Sequence, residues 1–296
     1  VYAFTTRLLP TGAGLMVNAI SPLSLLTQFP ELPSLHERVL LRGATDTLKG
    51  LAERGTVILA PTHLSNLDSI VLGYGLYLLG LPPFTYGAGL NLFTNPLLSF
   101  FMQNLGAYKV DRRKRADLYK RILKEYATVS MEYGYHNLFF PGGTRSRSGA
   151  VEHRLKLGLL GCGLRAFINN LRRKVDKPKI FIVPCTLSYG LVLEASTLIG
   201  DHLAEAGKSR YIIEDDEFSR PRQILDFARK LISLDARIVM HISEPLDVFG
   251  NQVLPDGSSV DPRGRPLDPS RYVLTDDGPD FDDQRDAEYT REAGRA

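Results

Sequence analysis

From Thr56 onward the chain alternates short β-branched runs with stretches at helical spacing, and this alternation restricts it to the α/β class. Thr56-Val57-Ile58-Leu59-Ala60 is an apolar run stopped by Pro61, as a buried strand would be. Helical spacing follows over 66–79, a strand over 84–87, a helix opened by Pro96 over 96–104 and a strand over 107–110. The spacing of Leu118, Ile122, Tyr126 and Val129 predicts a helix over 115–133 with a basic outer face. A strand over 137–140 precedes a helix over 156–170, where Gly158, Gly161 and Gly163 allow close packing. Strands over 180–187 and 236–242 close the pattern, separated by helices near 192–206 and 222–234. The expected fold is a mixed, largely parallel sheet flanked by helices, occupying 51–250. Residues 1–50 read as a helical or interfacial cap. From Asn251 turn signals succeed one another (Pro255-Asp256-Gly257, Pro262-Arg263-Gly264, Asp276-Asp277-Gly278), and 276–292 hold eight acidic and two basic residues. An irregular, peripheral acidic extension is expected over 251–296.

Overall charge conceals a segregation. The 36 Lys and Arg against 33 Asp and Glu leave +3, yet 109–179 hold 18 basic and 6 acidic residues, a local +12 against −9 elsewhere. Charge separated on this scale calls for an anionic partner: phosphate groups, a membrane surface or nucleic acid. Nucleic acid is the poorest fit, because no nucleic-acid module is recognisable and tryptophan is absent. The two cysteines, Cys162 and Cys185, make no disulfide framework and have no metal-type spacing, so a reducing compartment and no metal are expected. A membrane-spanning helix needs about 20 mostly apolar residues. Two uncharged stretches approach this, 8–30 and 69–108, but Pro10 and Pro22 interrupt the first and Pro82-Pro83, Gly87 and Gly89 the second. Such punctuated segments suit a buried core, an interfacial face or an acyl-chain pocket.

Four blocks carry chemistry. In Pro61-Thr62-His63-Leu64-Ser65-Asn66-Leu67-Asp68 a histidine lies just past a strand's C-terminal end, where open α/β sheets place ligands. The carboxylate of Asp68, in the first turn of the next helix, is within reach of one imidazole nitrogen, leaving the other to take a proton from a hydroxyl. Ser65 and Asp68 equally fit a helix-capping pattern. The second block, Gly106-Ala107-Tyr108-Lys109-Val110-Asp111-Arg112, is a strand running into a basic cluster, a pattern also common at solvated helix starts. The third, Phe139-Phe140-Pro141-Gly142-Gly143-Thr144-Arg145-Ser146-Arg147-Ser148-Gly149, is a strand delivered into glycines, hydroxyls and arginines. Glycine lets backbone N–H groups approach a phosphate, and the guanidinium fork binds it with two parallel hydrogen bonds. The fourth is Ile182-Val183-Pro184 followed by Ser188-Tyr189.

In this order and spacing the four blocks resemble the glycerolipid acyltransferase superfamily, over roughly 56–245. His63 to Asp68 is similar to its H-x4-D motif, Gly106 to Arg112 to its second block, Phe140 to Ser146 to F-P-E-G-T-R-S, and Val183-Pro184 to the fourth. The loop from Thr144 to Gly149, and Val183 to Tyr189 with Glu194 beyond, look like the branch acylating glycerol-3-phosphate or dihydroxyacetone phosphate. The resemblance implies His63 as general base oriented by Asp68, and acceptor binding by Arg112, Gly143, Thr144, Arg145, Ser146, Arg147 and Pro184. It implies acyl-CoA or acyl carrier protein as donor, a phosphorylated glycerol acceptor, no cofactor, and a peripheral location at the cytoplasmic face of an anionic membrane. A lysophosphatidate or dihydroxyacetone-phosphate acceptor is an alternative. Gly142 departs from the pattern, standing where the superfamily has glutamate; a non-catalytic phosphate- or lipid-binding relative is therefore a further alternative, and Glu152 or Glu194 a substitute carboxylate. No G-x-S-x-G elbow is present, so no acyl-serine intermediate is implied.

Overall fold

The computed structural model describes residues 39–65, 68–93, 96–104, 106–111, 113–114, 116–143, 145–146, 155–190 and 237–296. Strand β2 (Thr56–Pro61) is an inner strand of a nine-stranded mixed sheet. It pairs in parallel with β5 (Asn137–Leu138) and with β6 (Ile180–Tyr189). The far half of β6 pairs antiparallel with β7 (Ile238–Ile242), which in turn pairs in parallel with β1 (Val39–Gly43).

β2 and the near half of β6 are apolar on both faces because a layer of helices covers each face, whereas Thr186 and Ser188 in the far half of β6 are exposed. Val57, Leu59, Phe181, Val183, Cys185 and Leu187 belong to one core, together with α1 (Thr45–Arg54) and α2 (Asp68–Leu78). Ile58, Ile180 and Ile182 face the other, built with α4 (Asp117–Glu132) and α5 (Gly158–Arg173). Of the three glycines expected to permit close packing, Gly163 is the one that does. A Cβ there would lie 2.5 Å from Cδ1 of Ile58, whereas Gly158 and Gly161 have ordinary van der Waals room.

Beside the main sheet, β3 (Tyr86–Gly89) and β4 (Ala107–Val110) form a parallel pair, joined to it by a bridge from Thr85 to Asn137. A 3-10 turn, Leu90–Phe93, and helix α3 (Pro96–Asn104) connect the two strands. At this junction His136 is buried. Its Nδ1 accepts a hydrogen bond from the Val57 N–H at 3.0 Å, and its ring is tilted against Phe84 at 4.8 Å. Burial pushes its pKa down to about 4.

Three parts of the fold differ from the sequence reading. Val39–Gly43, expected within a helical cap, is a strand in register with β7, because its apolar residues complete that edge of the sheet. The apolar set on α4 faces outward: Leu118, Ile122, Tyr126 and Val129 are exposed, and the helix instead packs through Ala127, Thr128 and Met131. Small residues make the tight contact with α5, and Glu132, with a side chain 2% exposed, is clamped by Arg173 at 2.8 Å.

The third difference is the C-terminal extension, which is packed and ordered. β8 (Leu246–Asp247) pairs with the near half of β6, and β9 (Gln252–Val253), β10 (Ser259–Val260) and β11 (Pro266–Leu267) continue the sheet antiparallel. A short antiparallel pair, β12 (Leu274–Thr275) and β13 (Gly278–Pro279), leads to α6 (Asp283–Ala293). Asp282 caps α6 by accepting from the Gln284 and Arg285 N–H groups. Phe249, Tyr272 and Tyr289 cluster and meet Phe167 of α5. Arg165 and Arg172 of α5 lie over the Phe281 ring, and Arg172 also approaches Asp280 at 3.8 Å. The helices expected at 192–206 and 222–234 lie outside the described residues.

Candidate active site

β2 ends at Pro61, and the chain turns over the end of the sheet before α2 begins. Thr62 fixes the turn to β6: its N–H donates to the Cys185 carbonyl at 2.9 Å and its Oγ1 accepts from the Leu187 N–H at 3.0 Å. His63 follows with its side chain 15% exposed, and Asp68 is fully buried at 0%. The two meet directly, His63 Nδ1 to Asp68 Oδ2 at 2.7 Å. The same Oδ2 accepts from the backbone N–H groups of Leu64 at 2.7 Å and Ser65 at 3.0 Å. Oδ2 is therefore an acceptor, so the neutral imidazole meets it through Nδ1–H and presents Nε2 as the lone-pair nitrogen. Tyr189, at the end of β6, donates its hydroxyl to the other oxygen, Asp68 Oδ1, at 2.5 Å.

Asp68 thus makes helix-start contacts and meets the imidazole with the same carboxylate. The Ser65 N–H bond to its carboxylate is the return half of a capping box, while the Asp68 N–H bonds the Ser65 carbonyl at 3.1 Å. One carboxylate starts the helix and orients the imidazole.

The third block reaches the same place. Phe139 N–H bonds the Leu59 carbonyl, and Phe140 stacks on the His63 ring at 4.1 Å with 23° between planes. The chain then turns through Pro141, Gly142 and Gly143. Gly143 has φ +73°, which favours glycine, and the flexible end of Lys156 folds across it, 2.4 Å from where a Cβ would lie. Beyond the turn, Ser146 N–H donates to the His63 carbonyl at 2.7 Å, which brings Arg145, half-buried, against the first block. Pro184 pairs with Ala60 in the β2–β6 ladder, one residue before Cys185. The Cys185 thiol is pushed up to about 12 by burial and then by the Asp68 charge, which makes it a packing residue and no nucleophile.

The structure thus joins His63, Asp68, Gly143, Arg145, Ser146 and Pro184 at one end of the sheet. Arg112, Thr144 and Arg147 lie outside the described residues, as do Glu152 and Glu194. In the second block, Asp111 accepts from Arg113, whose backbone N–H and guanidinium hold its carboxyl below the usual range. Among the described residues, no three His, Cys, Asp or Glu side chains group as a metal site would. Tyr189 and Phe140 are the contacts that the site-residue reading missed. Each lay within a recognised block, but nothing in their spacing assigns them to the dyad.

A mixed α/β sheet thus presents a carboxylate-held imidazole at a strand end, beside the turn that carries Arg145 and Ser146. Residues 44–188, 145 of 296, match the Acyltransferase family model. Curated relatives include the glycerol-3-phosphate acyltransferase of Pseudomonas aeruginosa (strain LESB58), 32% identical over 171 residues, covering 57% of this chain and 20% of the relative. That of Pseudomonas syringae pv. tomato is 34% identical over 160 residues, covering 54% and 18%. The match thus spans about a fifth of the length of these relatives. Among solved structures, the 1-acyl-sn-glycerophosphate (LPA) acyltransferase PlsC from Thermotoga maritima overlaps 84% of this chain and 83% of its own, with TM-score 0.40 and 16% identity.

Proposed function

We propose that the chain transfers a fatty acyl group from a thioester, acyl-CoA or acyl carrier protein, to the sn-1 hydroxyl of glycerol-3-phosphate, in phospholipid biosynthesis. The observation that carries this reading is the 2.7 Å contact between His63 and the buried Asp68, within the segment that matches the family. His63 Nε2 takes the hydroxyl proton as the acceptor oxygen attacks the thioester carbonyl. The tetrahedral intermediate then expels the thiolate, which takes the same proton back from the imidazolium. A C–O bond forms, the C–S bond breaks, and His63 and Asp68 return to their starting states. General-base help of this kind is worth about 10²–10⁴-fold, with positioning supplying much of the remainder. Arg145 and the Gly143–Ser146 turn, with Arg112, Thr144 and Arg147, would hold the acceptor phosphate, since guanidinium and backbone N–H groups recognise it.

The test is an acceptor panel of glycerol-3-phosphate, dihydroxyacetone phosphate and lysophosphatidate against one long-chain thioester, read by thiol release. Glycerol-3-phosphate should be preferred, and His63→Ala should lose at least 100-fold of the rate. Normal turnover by that variant would refute the base. Gly142, at the turn where relatives of this pattern have glutamate, favours a second reading as a non-catalytic phosphate- or lipid-binding relative. Silence with every acceptor, together with retained phosphate binding, would establish that one.

The reaction's product is a lipid, and α4 supplies a surface suited to a bilayer. Leu118, Ile122, Tyr126, Val129 and Tyr133 recur at i, i+4, i+8, i+11 and i+15, which places them on one stripe about 23 Å long. Arg113, Lys114, Lys120, Arg121 and Lys124 lie exposed around that helix. Its acids are already matched: Asp117 to Lys120, Glu125 to Arg165 and Glu132 to Arg173. Exposed tyrosines with basic neighbours suit the headgroup zone of an anionic membrane. Among the described residues no helix is long and apolar enough to cross a membrane.

A further inference from the structure

We infer that Tyr189 is a positioning residue for the His63–Asp68 pair, resting on the general-base reading above. Its hydroxyl donates to Asp68 Oδ1 at 2.5 Å while Oδ2 holds the imidazole at 2.7 Å. A carboxylate gripped through one oxygen alone can still rotate about its Cβ–Cγ bond. Gripped through both it cannot, and the His63 Nδ1–H then has a single acceptor direction.

Two features set Tyr189 apart from a side chain that merely packs nearby. It comes from β6, 121 residues further along the chain, whereas the other donors to Asp68 among the described residues, His63, Leu64 and Ser65, lie in the turn before α2. β6 is also held in register on both sides at this end: Tyr189 pairs with Ile238 of β7, and Cys185 and Leu187 are tied to Thr62. The sheet therefore sets the distance from phenol to carboxylate, and the turn alone does not. The residue belongs to the ordering of the base and touches no reacting atom.

The prediction is specific to the hydroxyl. Tyr189→Phe keeps the ring and its packing and should leave the thermal midpoint within a few degrees of wild type. It should lower kcat about tenfold, the scale of one hydrogen bond to a charged group, with KM for donor and acceptor within about twofold. The acid limb of the kcat/KM profile should move to higher pH, because a carboxylate with one donor fewer holds more negative charge against the imidazole. A readout independent of turnover accompanies this: in ¹⁵N-histidine-labelled protein, the His63 Nδ1–H signal should shift or broaden in Tyr189→Phe. An unchanged rate, limb and Nδ1–H signal would overturn the assignment. The His63→Ala variant separates the two levels. If it is inactive while Tyr189→Phe matches wild type, the positioning role alone falls; if it stays active, the base falls and takes this role with it.

Discussion

Asp68 serves two elements at once, and substitutions can pull those uses apart. Asparagine is an adequate helix-start residue, so Asp68→Asn keeps an oxygen for the Leu64 and Ser65 N–H groups while removing the charge that holds the imidazole. It should lower kcat by about 10²–10⁴ at a stability cost of about 1 kcal/mol or less. Asp68→Ala removes both uses and leaves buried donors without an acceptor, so it should also unfold more easily, by about 1–3 kcal/mol. Initial rates and denaturant midpoints on the two variants check this; equal stability of both would show that the cap contributes nothing.

At the scale of elements, α4 carries the sharpest prediction. Its inward face is small and its outward face apolar, with Leu118 69% and Tyr133 75% exposed. Leu118→Glu with Ile122→Glu sits on the side away from Ala127 and Met131, so folding should be little affected. Co-sedimentation with vesicles containing anionic lipid should weaken several-fold in this variant, and binding by the unaltered chain should fall as salt shortens the screening length. Binding indifferent to both changes would remove α4 as the contact. Oligomers of the unaltered chain that the double variant abolishes would instead identify a second copy as the occupant.

At the scale of the whole molecule, a buried neutral imidazole sits at the joint of the main sheet and the β3–β4 pair. The folded pKa of His136, about 4, lies below the ordinary 6.5, so the folded state resists protonation there. The associated stability is fully present above pH 6.5 and is lost as pH falls toward 4, by at most about 3 kcal/mol. Denaturation midpoints should therefore drop between pH 6.5 and 4. His136→Asn retains an acceptor for the Val57 N–H without titrating, and should flatten that drop; an equally steep fall would place the sensitivity elsewhere. At the same scale, part of the central positive charge is met from within, since Arg165 and Arg172 of α5 engage Phe281 and Asp280 of the extension.

What the sequence determined alone was local. A proline-stopped apolar run makes β2, helical spacing makes α3 and α5, and five residues across the turn after β2 bring Asp68 to His63. The Gly142-Gly143 turn is legible for the same reason, because a positive φ favours glycine wherever it occurs. The reading failed where a residue's partner lay far along the chain. Val39–Gly43 becomes a strand because β7 offers an edge, the acidic extension becomes ordered because Phe167 and the α5 arginines receive it, and α4 turns its apolar stripe outward because Ala127 fits α5 more closely. Tyr189 reaches Asp68 only through the β2–β6 register. Turn chemistry and periodicity are properties of neighbouring residues, whereas register and burial are properties of surfaces that exist only once the sheet has assembled.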